Sequence, residues 1–393
     1  MDITTLESLG PALEEFCSRF DDCIKTRPSR RHLRTYLAGQ LGPLDRKSVE
    51  PIALAAGVPP RSLQEFLSLH KWDEEKVARR VRELVVERHA DSRAVGVFDE
   101  TSFAKKGSHT CGVQRQYCGE SGKIDNCVVT VHLAYATDDF HCLVDSDVFL
   151  PEDAWAADPA RREEVGVPET VVHRPKWRIA LELLDRCLAD GVAFPFMTAD
   201  EGYGRCGEFR AGLARRGLSY VVEVPRDTTG RIAGRPEARR VDDLWRRGGP
   251  SWEAYHVKDT AHGPVVWEAR RVRFTPAGET ESVWLLVARS VLTGETKWFM
   301  SNLTEDAAVE EMLRVAFMRW RVERCFQEAK GEIGLGHFEV RKWKSLRRHL
   351  ILSCAALMFL NERTARLRGE KPVVDRVPGE GGGGGATRSW HAA

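Results

Sequence analysis

The spacing of hydrophobic residues changes at about residue 93, and this change constrains the fold more than any other feature of the chain. Before it, hydrophobic residues recur at helical intervals, as Leu13, Phe16 and Phe20 do. After it, short and mostly apolar runs favour β-strands. Residues 1–90 are therefore predicted to form a helical N-terminal domain, which is followed by a region that contains a β-sheet.

The region of residues 91–225 alternates between strands and helices. Three strands are predicted first, and then a helix, a strand, a second helix and a last strand. In chain order, these seven elements are residues 94–98, 127–136, 140–150, 176–190, 193–199, 206–216 and 218–224. A polar turn between the second and third strands predicts that they pair antiparallel. This order is typical of a mixed α/β fold.

The rest of the chain divides into three parts. Residues 226–303 are rich in Arg and Gly and contain further strand-like runs, which predict a β-rich insertion. Thr304 and the two acids after it are typical of a helix N-terminus and predict one long helix that reaches about Lys330. We assign residues 304–365 to helices that complete the α/β core. The glycine-rich residues 366–393 predict a disordered tail.

Residues 49–69 have the pattern of a helix-turn-helix. Ala53 lies in a short first helix, Gly57 follows at the turn, and Leu63 and Phe66 belong to the apolar face of a second helix. A helix-turn-helix needs a small residue where its helices cross and a residue that tolerates a left-handed turn. Because any two-helix hairpin can show this pattern, both a DNA-contacting element and an ordinary hairpin remain open.

The charge and apolar patterns narrow the class of protein. The 59 basic residues nearly balance the 58 acidic ones, but basic residues concentrate in stretches 25–47, 226–275 and 311–350. Such stretches suit nucleic-acid binding and also the solvated faces of ordinary helices. The apolar run 350–360 is too short to cross a bilayer, and the first residues lack the pattern of a secretory signal. We therefore expect a cytoplasmic protein that does not associate with membranes.

Two aspartates end predicted strands. Asp99 follows the first strand and Asp200 follows the fourth. An aspartate in such a position is usually a turn former. However, the first and fourth strands of a mixed sheet are often neighbours, so both carboxylates could meet at one edge of the sheet. A third carboxylate from a helix would then complete a metal site.

Helical geometry selects that third carboxylate. Arg319, Glu323 and Lys330 lie within about 40° of one another around a helix, on the same stripe as several apolar residues. We therefore expect Glu323 to face the protein. Glu328 projects to the opposite side, where it should be solvated and where Glu328→Gln should have little effect. The stripe could instead be a buried structural ion-pair network.

Three carboxylates with open coordination positions suit Mg²⁺ or Mn²⁺. Two such ions can assist both the attacking and the leaving oxygen of a phosphoryl transfer. Arg319 and Lys330 would then contact neighbouring phosphates or orient Glu323.

Five segments together resemble the DDE transposases of bacterial insertion sequences, most closely the insertion-sequence family numbered 701. They lie between residues 96 and 349 and read GVFDETSFAKKGSHTCGVQRQYCGESGKIDNC, FLPEDAWAAD, TADEGYG, YVVEVPRD and RWRVERCFQEAKGEIGLGHFEVRKWKSLRRH. The resemblance spans roughly residues 30–360. It implies an RNase H-like catalytic core with a β-rich insertion between the second aspartate and the glutamate.

The resemblance also implies roles for individual residues. The family's DDE triad of catalytic metal ligands falls on Asp99, Asp200 and Glu323, with Asp99 bridging two ions. A related branch has a Tyr, Arg, Glu, Lys signature on its last catalytic helix, and Arg319, Glu323 and Lys330 occupy the last three positions.

Three further residues match family positions, and a fourth departs from the pattern. Lys105 and Lys106 match a basic loop that touches the DNA backbone. Tyr203 matches a tyrosine three residues after the second aspartate, where it could stack on substrate or merely pack. Ala316 stands where the related branch has its tyrosine, so no phenol acts there.

The function that the resemblance implies is that of an insertion-sequence transposase. Its N-terminal domain would bind the terminal inverted repeats of its own element in double-stranded DNA. Its triad, with two Mg²⁺ or Mn²⁺ ions, would cleave the DNA and join the freed 3′-OH to target DNA. Because two element ends are cut together, a homodimer is implied, and a bacterial, nucleoid-associated location follows. The alternatives are an RNase H-like nuclease and a domesticated or inactive DNA-binding protein.

Overall fold

The structure is a computed structural model that describes residues 3–244, 251–260 and 263–369. Its helices are α1 (Ile3–Ser18), α2 (Arg27–Leu41), α3 (Val49–Ala55), α4 (Pro60–Ser68), α5 (Glu74–His89), α6 (Pro159–Val165), α7 (Lys176–Ala189), α8 (Glu201–Gly204), α9 (Gly207–Arg215), α10 (Val309–Phe317), α11 (Arg319–Gly331) and α12 (Trp343–Gly369). A π-helical turn covers Glu152–Ala156.

The strands are β1 (Val95–Ala104), β2 (Gln114–Cys118), β3 (Lys123–Ala136), β4 (His141–Val148), β5 (Phe196–Ala199), β6 (Ser219–Val224), β7 (Thr229–Ile232), β8 (Arg239–Arg240), β9 (Glu253–Thr260), β10 (Gly263–Pro276), β11 (Val283–Ser290) and β12 (Thr296–Ser301). Most of the tail predicted for residues 366–393 lies outside the described residues, and α12 continues to Gly369. None of the helices within the described ranges combines the length and the apolarity needed to cross a bilayer.

The core sheet has the strand order β4-β3-β1-β5-β6. Strand β3 lies between β1 and β4 and is antiparallel to both. Strand β5 is parallel to β1, and β6 is parallel to β5. Three antiparallel strands followed by two parallel strands, each reached through a helix, is the topology of an RNase H-like core. The predicted mixed α/β fold is therefore confirmed, and β2 is an additional strand beside β3.

Strand β1 is longer than predicted, so Asp99 lies within it and not at its end. Strand β3 pairs with β1 along its whole length, from Val95 to Ala104. Strand β5, in contrast, pairs with β1 only as far as Phe98. Asp99 therefore lies just beyond the last residue that pairs with the parallel neighbour.

The β-rich insertion continues the core sheet outwards. Strand β12 pairs antiparallel with β6, and β11 and β10 follow. Strands β7, β8 and β9 were not predicted and pair at the outer part of the insertion. The insertion also contacts a helix of the core, because Trp267 of β10 packs against Phe317 of α10, with ring centroids 4.7 Å apart. The insertion therefore supports the segment that carries Arg319 and Glu323.

Helices cover both faces of the core sheet. Successive residues of a strand point to opposite faces. Ser146 of β4 lies 3.4 Å from the Sγ atom of Cys354 in α12, whereas Asp145 forms a 2.8 Å ion pair with Arg186 of α7. Helix α7 is therefore on one face and α12 on the other. Helix α11 shares the α12 face, because His132 contacts both Ser146 and the ring of Phe326.

The single long helix predicted from Thr304 to Lys330 is wrong, because the chain forms α10 and α11. The N–H of Ala307 donates to the carbonyl of Thr304, so residues 304–307 form a turn, and α10 begins at Val309. At Met318 the N–H is shared between the carbonyls of residues 314 and 315. Such tightening is common where a helix ends, and α11 begins at the next residue, Arg319.

The predicted hairpin of residues 49–69 is confirmed as helices α3 and α4. Gly57 has a φ of 65° in the turn between them, a conformation that glycine adopts without strain. Ala53, Leu63 and Phe66 are buried. DNA contact by this hairpin remains a prediction.

Buried polar contacts attach the N-terminal helices to α12. The Tyr36 hydroxyl lies 2.8 Å from Nδ1 of His349, and Gln40 donates to Ser353 at 2.8 Å. Arg348 is fully buried and donates to the backbone carbonyls of residues 66, 67, 70 and 72. The N-terminal helices, the core and the insertion share one continuous hydrophobic cluster. The α3–α4 hairpin is consequently held in a fixed position relative to the core.

Candidate active site

The register of β1 and β5 brings the two predicted aspartates together. The pairing ends with Phe98 opposite Ala199, so Asp99 and Asp200 are the next residues of two neighbouring strands. Asp200 caps α8, where its Oδ1 atom accepts hydrogen bonds from the N–H groups of residues 202 and 203 at 3.0 and 3.2 Å. The prediction that these strands are neighbours is confirmed.

Burial makes both carboxylates costly to ionise, and the charge of Asp200 adds to this cost for Asp99. Burial, and next the negative charge of Asp200, raise the pKa of Asp99 to about 7. The backbone N–H of Glu100 and the charge of Arg319 act in the opposite direction. Burial also raises the pKa of Asp200. A desolvated pair of carboxylates favours a bound proton or a bound cation.

Arg319, the first residue of α11, lies among three carboxylates. Its Nη1 atom is 3.9 Å from Oδ2 of Asp99, its Nη2 atom is 3.2 Å from Oε1 of Glu323, and its Nε atom is 3.6 Å from Oε2 of Glu223. The guanidinium therefore lies between Asp99 and Glu323.

The exposures of the two glutamates of α11 are the reverse of the prediction. The side chain of Glu323 is 56% exposed, and that of Glu328 is only 11% exposed. Glu328 accepts a 2.9 Å hydrogen bond from Nε2 of His141 and pairs with Arg324. The prediction that Glu328 is solvated is wrong, because the buried side of α11 carries Val322, Phe326 and Ala329 and includes Glu328, which the apolar stripe of α10 did not indicate.

The pKa of Glu328 reflects this buried pairing. Burial alone would raise the pKa, but the hydrogen bonds from His141 and Arg324 outweigh burial and lower it to about 2. Glu328 is therefore a structural anion that fixes α11 to β4. Glu323 contacts Arg319, which also contacts Asp99, so Glu323 lies on the side of α11 that is nearer to Asp99. Its side chain is accessible to solvent.

The described ranges contain no group of three His, Cys, Asp or Glu side chains close enough to hold a metal ion. Asp99 and Asp200 meet, whereas Glu323 is separated from Asp99 by the guanidinium of Arg319. The donor set nevertheless fits a divalent cation, because hard carboxylate oxygens are the ligands of Mg²⁺ and Mn²⁺. In this structure, the positive charge beside Asp99 and Glu323 is that of Arg319.

Sequence reasoning missed two acids of this site. Glu100, next to Asp99, forms an ion pair with Lys176 of α7. Glu223 of β6 pairs with Lys297 at 2.8 Å as well as with Arg319. Both acids lie within the segments GVFDET and YVVEVPRD. Their positions in those segments were the one sequence feature that could have pointed to them, but only the fold shows that they border the site.

Tyr203 takes the packing role. Its side chain is 2% exposed, and its ring packs beside those of Phe98 and Phe209. Its hydroxyl donates to Glu100 at 3.2 Å. Because neither face of the ring is open, the structure favours packing over stacking on substrate. Tyr203 ties the loop that holds Asp200 to β1.

The predicted DNA-binding lysines differ in their surroundings. Lys105 donates to the carbonyl of Phe338 at 2.8 Å and lies 3.4 Å above its ring, and burial lowers its pKa to about 8. Lys330 is half-buried, with Nζ 3.4 Å from the carbonyl of Ser102. Lys106 is exposed. Of the three, Lys106 is the most accessible to a polyanion, and Lys105 mainly holds its own loop in place.

Lys105 and Lys106 line a basic groove beyond the end of β1. The groove has a volume of about 700 Å³ and lies between the α2–α3, β1–β2 and α11–α12 loops. Its charged lining consists of Asp45, Arg46, Lys105, Lys106, His109, His337, Glu339 and Arg341. Arg46 and Glu339 form a 2.6 Å ion pair across it.

Comparison with known proteins places the chain in a family. The sequence profile of the DDE superfamily endonucleases matches residues 19–282, which is more than half of the chain.

The chain belongs to the DDE superfamily endonucleases.

The matched range of the DDE superfamily profile includes Asp99 and Asp200 and ends before Glu323. The chain is also 24% identical over 341 residues to the probable transposase for insertion sequence element IS701 of Microchaete diplosiphon, an alignment that covers 85% of this chain and 83% of that protein. DDE superfamily endonucleases generally use divalent metal ions.

Two solved structures show a weaker likeness to this DDE family member. A piggyBac transposase synaptic complex with hairpin DNA has a TM-score of 0.40 and 12% identity, with 89% of this chain and 74% of that chain covered. The Drosophila P element transposase strand transfer complex has a TM-score of 0.25 and 12% identity, with 53% and 46% covered.

Proposed function

We propose that the protein is an insertion-sequence transposase that cleaves and joins DNA with the triad Asp99, Asp200 and Glu323. The observation that carries the proposal is the register of β1 and β5, which brings Asp99 and Asp200 together in an RNase H-like core. Glu323 lies beside them through its contact with Arg319. Membership of the DDE superfamily and the similarity to the IS701 transposase support the same reaction class.

The triad would hold two Mg²⁺ or Mn²⁺ ions. Asp99 would serve both ions, because it lies between Asp200 on the neighbouring strand and Arg319, which contacts Glu323. When bound, the two ions would assist the attacking and the leaving oxygen of an in-line phosphoryl displacement. Asp99 would ionise more readily beside a bound cation, because the positive charge would offset the repulsion from Asp200.

The reaction has two displacements. In the first, water attacks a phosphodiester at the element end, and the bond to O3′ breaks to leave a free 3′-OH. In the second, that 3′-OH attacks a phosphodiester of the target strand, whose own O3′ leaves. Glu100, Lys176 and Tyr203 hold the two strands that carry the aspartates during both displacements.

DNA contacts would come from several parts of the chain. Lys106 and the basic groove would bind backbone phosphates. The α3–α4 hairpin would read the inverted repeats, and its attachment to α12 fixes its distance from the triad. We further propose a homodimer, which would bring two element ends together, and a location at the nucleoid in bacterial cytoplasm.

The test is cleavage and joining of a labelled duplex that carries the inverted repeat flanking the gene. Wild-type protein with Mg²⁺ should cleave and join, whereas Asp99→Asn, Asp200→Asn and Glu323→Gln should bind the duplex without cleaving it. Asp185→Asn is the control, because Asp185 pairs with Arg216 at the surface of α7, away from the triad. Retained cleavage in a triad variant would remove that residue from the site.

Other outcomes would favour the alternatives. Binding without cleavage by the wild-type protein would indicate a DNA-binding protein that has lost catalysis. Cleavage without joining would indicate a nuclease.

A further inference from the structure

We propose that Glu223 is a positioning residue that retains the guanidinium of Arg319 in the site when divalent cations bind Asp99 and Glu323. The inference rests on the proposed metal-dependent function and adds a residue outside the triad. Glu223 is the acid of the segment YVVEVPRD and lies on β6.

The contacts of Arg319 divide its nitrogen atoms among three acids. The two terminal nitrogens, Nη1 and Nη2, lie nearest to Asp99 and Glu323, at 3.9 and 3.2 Å. The inner nitrogen, Nε, lies 3.6 Å from Glu223. Only the terminal nitrogens therefore contact proposed metal ligands, and Nε contacts an acid that stands outside the triad.

Glu223 is more enclosed than Glu323, whose side chain is 56% exposed. It lies opposite Phe299 in the β6–β12 pair, and its side chain is 15% exposed. Lys297 of β12 fixes the carboxylate with a 2.8 Å ion pair. A side chain pinned within the sheet can remain in place when the first turn of α11 adjusts to a bound cation.

This arrangement gives Arg319 two positions. Without divalent cations, the guanidinium shares its single positive charge among Asp99, Glu223 and Glu323. When cations take Asp99 and Glu323, Nη1 and Nη2 lose their partners, and Glu223 keeps Nε. The terminal nitrogens are then free beside the site and can donate to phosphate oxygens, which guanidinium groups bind well.

The same contacts make Arg319 a competitor of the cation. Glu223 weakens that competition because it pairs with the guanidinium and is not itself a proposed metal ligand. Without Glu223, Arg319 can pair only with Asp99 and Glu323, so a divalent cation must displace a more strongly held guanidinium.

The experiment measures Mn²⁺ binding by electron paramagnetic resonance in the full-length protein without DNA. The variants are Glu223→Gln, Arg319→Gln and the double variant. We expect Glu223→Gln to weaken Mn²⁺ binding about fivefold or more, and Arg319→Gln to strengthen it. In the Arg319→Gln background, Glu223→Gln should change the affinity by less than about twofold, because the guanidinium that it positions is absent.

Glu295→Gln is the matched control. Glu295 contacts the same Lys297 at 3.6 Å and is 57% exposed, so its replacement removes one negative charge beside this lysine. It should leave Mn²⁺ affinity unchanged.

Three results would overturn the inference. An unchanged affinity in Glu223→Gln would show that Arg319 needs no anchor. An equal loss in the wild-type and Arg319→Gln backgrounds would show that Glu223 acts directly on the cation. An equal loss of Mn²⁺ affinity in Glu295→Gln would show that the effect comes only from removing a negative charge. Absence of Mn²⁺ binding by the wild-type protein would instead refute the metal site of the proposed function as well, so the two failures are distinguishable.

Discussion

Replacing Glu328 with glutamine should destabilise the fold and spare catalysis, whereas replacing Glu323 with glutamine should do the reverse. The two residues lie on the same helix and are five positions apart. Glu328 is buried against His141 and Arg324, and Glu323 is 56% exposed beside Arg319. The same substitution, glutamate to glutamine, therefore tests a structural acid at residue 328 and a proposed metal ligand at residue 323.

The magnitude for Glu328 follows from its pKa. The folded protein lowers this pKa from 4.5 to about 2, and a tenfold change in proton affinity corresponds to about 1.4 kcal/mol. Ionised Glu328 thus contributes about 3 kcal/mol to the free energy of unfolding. Because the folded pKa is the lower one, this contribution is complete above about pH 4.5 and is lost as the pH falls through 2.

The assay is urea denaturation at pH 7, followed by tryptophan fluorescence. Glu328→Gln should lower the free energy of unfolding by about 3 kcal/mol, and Glu323→Gln by less than about 0.5 kcal/mol. The gap between wild type and Glu328→Gln should narrow as the pH is lowered from 5 to 2. Below the urea transition, Glu328→Gln should still cleave DNA. Equal destabilisation by the two variants would refute the reasoning.

Three further predictions concern other parts of the molecule. In EDTA, Asp99→Asn should stabilise the protein against urea at pH 8 by at most about 4 kcal/mol, and should have no such effect at pH 3. The reason is that the raised pKa of Asp99 lowers the free energy of unfolding only as the pH rises from about 4 through 7. Lys106→Ala should make the slope of log affinity for DNA against log salt concentration shallower by about one. Arg178→Ala, on the α7 face, should leave this slope unchanged. Equal slopes in the two variants would exclude the groove as a binding site for DNA phosphates. Arg348→Met should remove the hydrogen bonds of Arg348 to four backbone carbonyls and speed amide hydrogen exchange in α4. Unchanged exchange would contradict this prediction.

The sequence by itself determined the elements of the core and the identity of its two aspartates. Apolar runs located β3, β4 and β6, and helical periodicity located α7, to within a few residues, because both patterns are local properties of the chain. The α3–α4 hairpin was predicted for the same reason, since Gly57 fixes its turn locally. Asp99 and Asp200 were singled out by their positions after apolar runs.

Tertiary structure alone decided how these residues are used. Glu328 is buried and Glu323 is exposed because of how α11 packs against the core, where Glu328 pairs with His141 of β4, a residue far away in the chain. Glu223 of β6 and Arg319 of α11 meet only because the insertion between them folds back onto the core sheet. Periodicity specifies which side of an element is apolar, but the partner of each charged side chain depends on contacts between segments far apart in the chain.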